Sequence, residues 1–222
     1  MKQILAVALL ASAPLSGVQA HGNHGTQVGI GAEIRHELAD ARKEVRIDLA
    51  KARRELETDN LRLDKGLRFG QDGTRKQARN TALPQAEITP RGDFLIDGKP
   101  QAIDGGQRRQ LLAYRGQVIG IAKSGIDIGQ RSAEAALDAV GNGSLFGLVV
   151  GAMTGSLERR IERLVRAEVE PGVRGICRQL PALLQAQQRL ASSLAQFRPY
   201  ATLEAGDVDD CEKQVRRDFA SL

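Results

Sequence analysis

The chain has 222 residues, a formal net charge of +5 with 27% charged residues, 3% aromatics, no tryptophan and two cysteines. That length supports one full core, or one domain with an appendage, and the scarcity of aromatics predicts an aliphatic core of Leu, Ile, Val and Ala. A pI near 9.5 fits a surface with a basic excess or an anionic partner such as lipid headgroups or acidic polysaccharide, and the export signal at the N-terminus argues against nucleic acid.

Residues 1–20 carry Lys2, an apolar run from Ile4 to Ala13 and the small-residue end Val18-Gln19-Ala20. This reads as a cleavable signal peptide, too short and wrongly flanked for a membrane span. A soluble, periplasmic mature chain starting at His21 follows. His21 and His24 with the new terminal amine form a candidate Cu(II) set, but Asn23 stands where a tight square-planar terminal site wants histidine. No other metal or cofactor is expected.

Residues 21–60 form an N-terminal helical arm. Between 33 and 57 the residues Ile34, Leu38, Ala41, Val45, Leu49, Ala52 and Leu56 alternate in steps of four and three, a narrow apolar seam on a charge-dense helix. Such a helix either binds a partner or itself, or lies on its own core. Residues 61–222 form the rest, a single domain. Leu61, Leu63, Leu67 and Phe69 alternate and predict one or two short strands. Residues 71–84 are polar, basic and poor in apolar residues, and read as a flexible linker.

Pro90-Arg91-Gly92 and Asp97-Gly98 are turn signals. They predict three strands, at 87–89, 93–96 and 100–103, which need a helix packed on them. That helix is predicted over 104–140, capped by Asp104 with Gln107 at the capping-box position, and with Leu111, Tyr114, Val118, Ile121, Gly125 and Ile128 on one face. Gly116, Gly120, Gly125 and Gly129 predict either a close backbone approach or a kink. The expected fold class is therefore α+β, mostly α: a small antiparallel β-meander packed on a bundle of long amphipathic helices.

Gly143, Gly147, Gly151 and Gly155 recur every four residues in an apolar run of about 14 residues, short of the ~20 a span needs. They form a smooth helix-packing face, buried within the fold or used for membrane-surface contact or self-association. After residue 158 a charged helix carries Arg159, Arg163 and Arg166, and Pro171-Gly172 kinks or ends it. Further helices are expected from Pro181 to Arg198-Pro199, with Leu183, Leu184, Leu190, Leu194 and Phe197 apolar, and from about Asp207, with an acidic first turn at Asp209 and Asp210. Cys177 and Cys211, an even number in an oxidising compartment, predict a disulfide.

The histidines all lie at or before residue 36, and no GxSxG, HExxH or phosphate-cradling loop occurs. No enzyme activity is expected. The candidate functions are a non-enzymatic periplasmic module that binds a partner, either another envelope protein or a second copy, and a membrane-surface or oligomerising protein using the glycine face.

Residues 86–99, Ala-Glu-Ile-Thr-Pro-Arg-Gly-Asp-Phe-Leu-Ile-Asp-Gly-Lys, with 107–114, 176–181 and 197–201, resemble the YggN-like family of exported proteobacterial proteins. The resemblance covers roughly 61–201 and implies a periplasmic domain with no assigned activity. Members of that family have a cysteine near the mature N-terminus able to pair with the counterpart of Cys177. This chain has none, and Cys211 is the available substitute.

Overall fold

The structure is a computed structural model that describes residues 26–63, 83–141, 163 and 165–220. Helix α1 (Thr26–Thr58) leads into β1 (Leu61–Arg62), followed by β2 (Ala86–Ile88), β3 (Phe94–Ile96) and β4 (Lys99–Pro100). Helix α2 (Gly105–Gly141) comes next. A π-helical turn (Val165–Val169) opens directly into α3 (Glu170–Cys177), then come α4 (Leu180–Ser193), a 3-10 turn (Ala195–Tyr200) and α5 (Ala205–Ala220). The class is α+β and mostly α, a small sheet against long helices.

The strands form one antiparallel sheet in the order β1-β2-β3-β4. Leu61 pairs with Ile88, so the predicted fourth strand joins the meander. Asp97 and Gly98 both take positive φ, 48° and 72°, the two-residue turn whose twist matches antiparallel strands. Because that turn is so short, pairing restarts at Lys99 and is complete by Pro100. The strand expected at 100–103 is therefore shifted earlier. Gly92, at φ 80°, closes the other turn by donating to the Thr89 carbonyl at 2.9 Å.

Asp104 caps α2 as expected. Its Oδ1 accepts from the Gln107 amide at 2.8 Å, and Gln107 Oε1 accepts from the Asp104 amide at 2.9 Å. This reciprocal pair satisfies two amides that a helix start otherwise leaves open. Leu111, Tyr114, Val118, Ile121 and Ile128 are buried on one face, but Gly125 is exposed and does not belong to it. Among the described residues, nothing stands within 4 Å of a Cβ built on Gly116, Gly125 or Gly129, and on Gly120 such a Cβ meets only Gln179 Oε1, at 4.0 Å. Among the described residues no neighbouring backbone closes on these glycines, and α2 runs unbroken through them.

The close approach lies elsewhere. A Cβ on Gly172 would fall 2.4 Å from Ile128 Cγ1, so glycine is what lets α3 cross α2. Pro171 sits in the first turn of α3, directly after the π-helical turn. It does not end the helix, because the chain is helical on both sides of it, π-type up to Val169 and α-type from Glu170. Pro181 sits in the first turn of α4, where a missing amide costs little. That helix stops at Ser193, and the predicted extension to residue 198 is a separate 3-10 turn. In α5 the acidic residue of the first turn is Asp207, whose Oδ2 accepts from the Glu204 amide at 2.8 Å.

The core is less aliphatic than composition suggested. Phe94 from the sheet, Tyr114 from α2, and Phe197 and Tyr200 from the 3-10 turn meet at its centre. Ring centroids lie 6.1 Å apart for Phe94–Phe197, 6.2 Å for Phe94–Tyr200 and 5.4 Å for Tyr114–Phe197. Few aromatics are present, but their edge-on packing contributes beyond area burial. Ala86, Ile88, Leu111, Leu180, Leu183, Leu190 and Leu194 surround them. The buried amide of Gln187 donates to the Leu203 carbonyl at 2.8 Å and accepts from the Leu203 amide at 3.1 Å. That exchange holds the connection into α5 on the core.

Cys177 and Cys211 are joined, with Cα atoms 5.7 Å apart, and tie the end of α3 to α5. Of the predicted 71–84 linker, residues 71–82 lie outside the described residues. Its last residues are anchored: Leu83 packs against the core, and the Pro84 carbonyl accepts from Tyr200 Oη at 2.9 Å. The signal peptide, His21, His24, Leu67, Phe69, Arg159 and Gly143, Gly147, Gly151 and Gly155 also lie outside the described residues.

Candidate interaction surface

Helix α1 runs antiparallel along the far half of α2. Among the described residues, ion pairs join Arg42 to Asp138 (2.5 Å), Arg46 to Glu134 (3.0 Å), Arg53 to Asp127 and Glu57 to Lys123, without a slip in register. Each is solvent-exposed and screened by water and salt, so it adds little to stability. Their value lies in fixing which face of α1 meets α2.

The end of α1 is held more firmly. Arg115, only 8% exposed, projects from α2 and its Nη2 donates to the carbonyls of Leu56, Glu57 and Asp59 at 3.1, 2.8 and 2.8 Å. A cation at the last open carbonyls complements both their hydrogen-bonding need and the negative end of the helix dipole. Nothing in the spacing of the sequence distinguished Arg115 from other arginines.

These contacts define the outward side of α1. At 3.6 residues per turn, Arg42, Arg46, Arg53 and Glu57 lie along one flank of the apolar seam. Leu38, Ala41, Val45, Leu49, Ala52 and Leu56 are all half-buried, so docking on α2 covers the seam on one side and leaves the other open. The open flank is acidic: Glu37, Glu44, Asp48 and Glu55 are exposed along it. Among the described residues only Glu55 is engaged there, with Lys51 at 3.8 Å. The arm is thus a two-helix surface with a basic, occupied flank and an acidic, open one.

The carboxylates with shifted acidity all serve inter-element contacts. The hydrogen bond and charge of Lys123 hold the Glu57 carboxyl below the usual range. Hydrogen bonds from Gln130 and then Arg46 do the same for Glu134. Asp93 is lowered by its hydrogen bond from Arg108, which staples the meander to α2, and by the Thr89 hydroxyl. Burial raises the Tyr114 phenol.

Among the described residues, no cluster of three or more His, Cys, Asp and Glu side chains is placed to hold a metal. None of the described helices is long and apolar enough to cross a membrane. Arg163 and Arg166 are exposed, and Arg166 donates to the Phe219 carbonyl at 2.8 Å, so this arginine face is partly spent on α5. No family model matches the chain, and neither the curated proteins nor the solved structures contain a match.

Proposed function

We propose that the chain is an exported, non-enzymatic envelope protein whose α1–α2 arm binds a helical segment of another envelope protein. The observation that carries this reading is the seam itself: six apolar residues in helical register, left half-open after α1 has docked, with an acidic flank facing outward. The chemistry such a surface recognises is an amphipathic helix with an apolar stripe and a basic edge. The Cys177–Cys211 bond supports an oxidising compartment. The signal-peptide reading and the YggN-like resemblance point the same way.

The test is photo-crosslinking in bacteria expressing the full chain, with the reactive residue replacing Ala41 or Ala52 on the open edge. Ile47, 55% exposed on the opposite side of α1, is the control. The reading predicts a discrete adduct from Ala41 and Ala52, absent from Ile47, in the periplasmic fraction. Equal labelling from Ile47, or residence in the cytosol, contradicts it. An adduct of twice the chain mass would instead show that the seam takes a second copy, and labelling of lipid alone that it faces a membrane; either outcome overturns the reading of another envelope protein as partner.

A further inference from the structure

The first turns of α2 and the last turns of α4 are bound together at their rims. Gln107 Nε2 donates to the Ser193 carbonyl at 2.7 Å, and the Ser193 hydroxyl donates to Gln110 Oε1 at 2.5 Å. Between the helices lies an open groove of about 350 Å³ lined by Gly106, Arg109, Gln110, Ala113, Ala186 and Arg189. Its volume lies at the lower end of the ~300–1,000 Å³ range of small-molecule sites. The groove exists because Ala113 and Ala186 carry only methyl groups where longer side chains would fill the space between the helices.

Its rim is cationic from both sides. Neither the Arg109 nor the Arg189 guanidinium has a hydrogen-bond or ion-pair partner among the described residues, unlike Arg108 beside them, which is held by Asp93. Gln110 uses its oxygen to accept from Ser193, which leaves its amide donors uncommitted. Two guanidinium forks and an amide supply more donors than one carboxylate can accept. They match the three terminal oxygens and near −2 charge of a phosphate monoester.

We propose that this groove binds a small molecule bearing a phosphate monoester, with Arg109 and Arg189 clamping the phosphate and Ala113 and Ala186 lying beneath the rest of the ligand. This site is separate from the α1 seam, and its failure leaves the interaction reading untouched.

The experiment is a nuclear magnetic resonance titration of the labelled protein at constant ionic strength with inorganic phosphate, glycerol 1-phosphate and acetate. The signals to follow are the Arg109 and Arg189 Nε–Hε groups and the amides of Gly106, Gln110 and Ala113. The proposal predicts saturable shifts confined to these groups, with acetate at least about tenfold weaker. Arg109→Gln and Arg189→Gln should each weaken binding by about tenfold, the loss of a charge-assisted pair, and leave the melting curve in place. Arg178→Gln, at an exposed arginine elsewhere, should bind as the parent does. Linear shifts at all arginines, or undiminished binding by the Arg109→Gln/Arg189→Gln double variant, would overturn the site. Equal affinity for acetate overturns the phosphate assignment. Binding of phosphatidylglycerol vesicles without saturable binding of glycerol 1-phosphate overturns the small-molecule assignment.

Discussion

Arg115 on α2 donates to the Glu57 carbonyl of α1 at 2.8 Å, part of a three-carbonyl cap that joins the arm to the domain. The side chain is almost fully buried, so removing it strands the last carbonyls of α1 beside a hole. Arg115→Met is expected to lower the unfolding free energy by about 2–3 kcal/mol, the scale of charged hydrogen bonds lost from a buried donor. Urea denaturation read by circular dichroism checks this. A loss no larger than that of an exposed arginine such as Arg178 would show that the cap carries no weight.

Gly172 tests the crossing of α3 over α2. Gly172→Ala places a methyl 2.4 Å from Ile128 Cγ1 and should destabilise by about 1–3 kcal/mol, the cost of overpacking. Adding Ile128→Ala should recover part of that loss, because the methyl then has room. A double variant as unstable as the sum of its single changes would mean the two residues are not coupled.

Acidification should loosen the arm before it unfolds the core. Glu57 and Glu134 are held below their ordinary value of 4.5. A depressed carboxylate stabilises the folded form above its unfolded pKa, and that contribution disappears as pH falls through the folded one. The arm contacts therefore weaken on descending below about pH 4.5. The Asp93–Arg108 staple weakens below about 3.8, its ordinary value. Hydrogen exchange should show α1 amides losing protection over this interval while α4 amides keep theirs. Simultaneous loss in both helices would contradict the ordering.

The disulfide closes a loop with a sequence separation of 34. Chain-entropy arguments put its contribution at about 3–4 kcal/mol. Unfolding with and without reductant measures it, and Cys177→Ala/Cys211→Ala should match the reduced protein. Because Cys177 is buried at the α3–α5 junction, reduction is expected to free α5 first. Unchanged stability on reduction would remove the bond's structural role.

Local chemistry was readable where a few neighbouring residues determine the outcome. The Asp97-Gly98 turn and the Asp104–Gln107 box both form, because each depends only on residues within a few positions. The glycines of α2 mark no close approach among the described residues: Gly116, Gly125 and Gly129 lie on an exposed helix face, where glycine is tolerated at a propensity cost of up to about 1 kcal/mol each. Gly172 was visible only as a helix breaker, since its partner Ile128 lies 44 residues earlier and depends on how the helices cross. The aromatic cluster was hidden for a similar reason: Phe94, Tyr114, Phe197 and Tyr200 are scattered in sequence and meet only through the tertiary fold. For the candidate surface, the period of Leu38 to Leu56 located the seam. Which flank stays open required the Arg42–Asp138, Arg46–Glu134 and Arg53–Asp127 pairs. The Arg109–Arg189 groove gave no linear signal at all, since one residue sits on each of two separate helices.

The most direct measurement of the central claim is the yield of the Ala41 photo-adduct in cells when the open flank is reversed by Glu44→Lys and Asp48→Lys. Both residues are exposed and contact no ion-pair partner among the described residues, so the fold should persist with an unchanged melting curve. If α1 recognises a basic-edged helix through this seam, the adduct should fall at least about tenfold, as like charges now face each other. An adduct of undiminished yield from a correctly folded double variant would contradict the account.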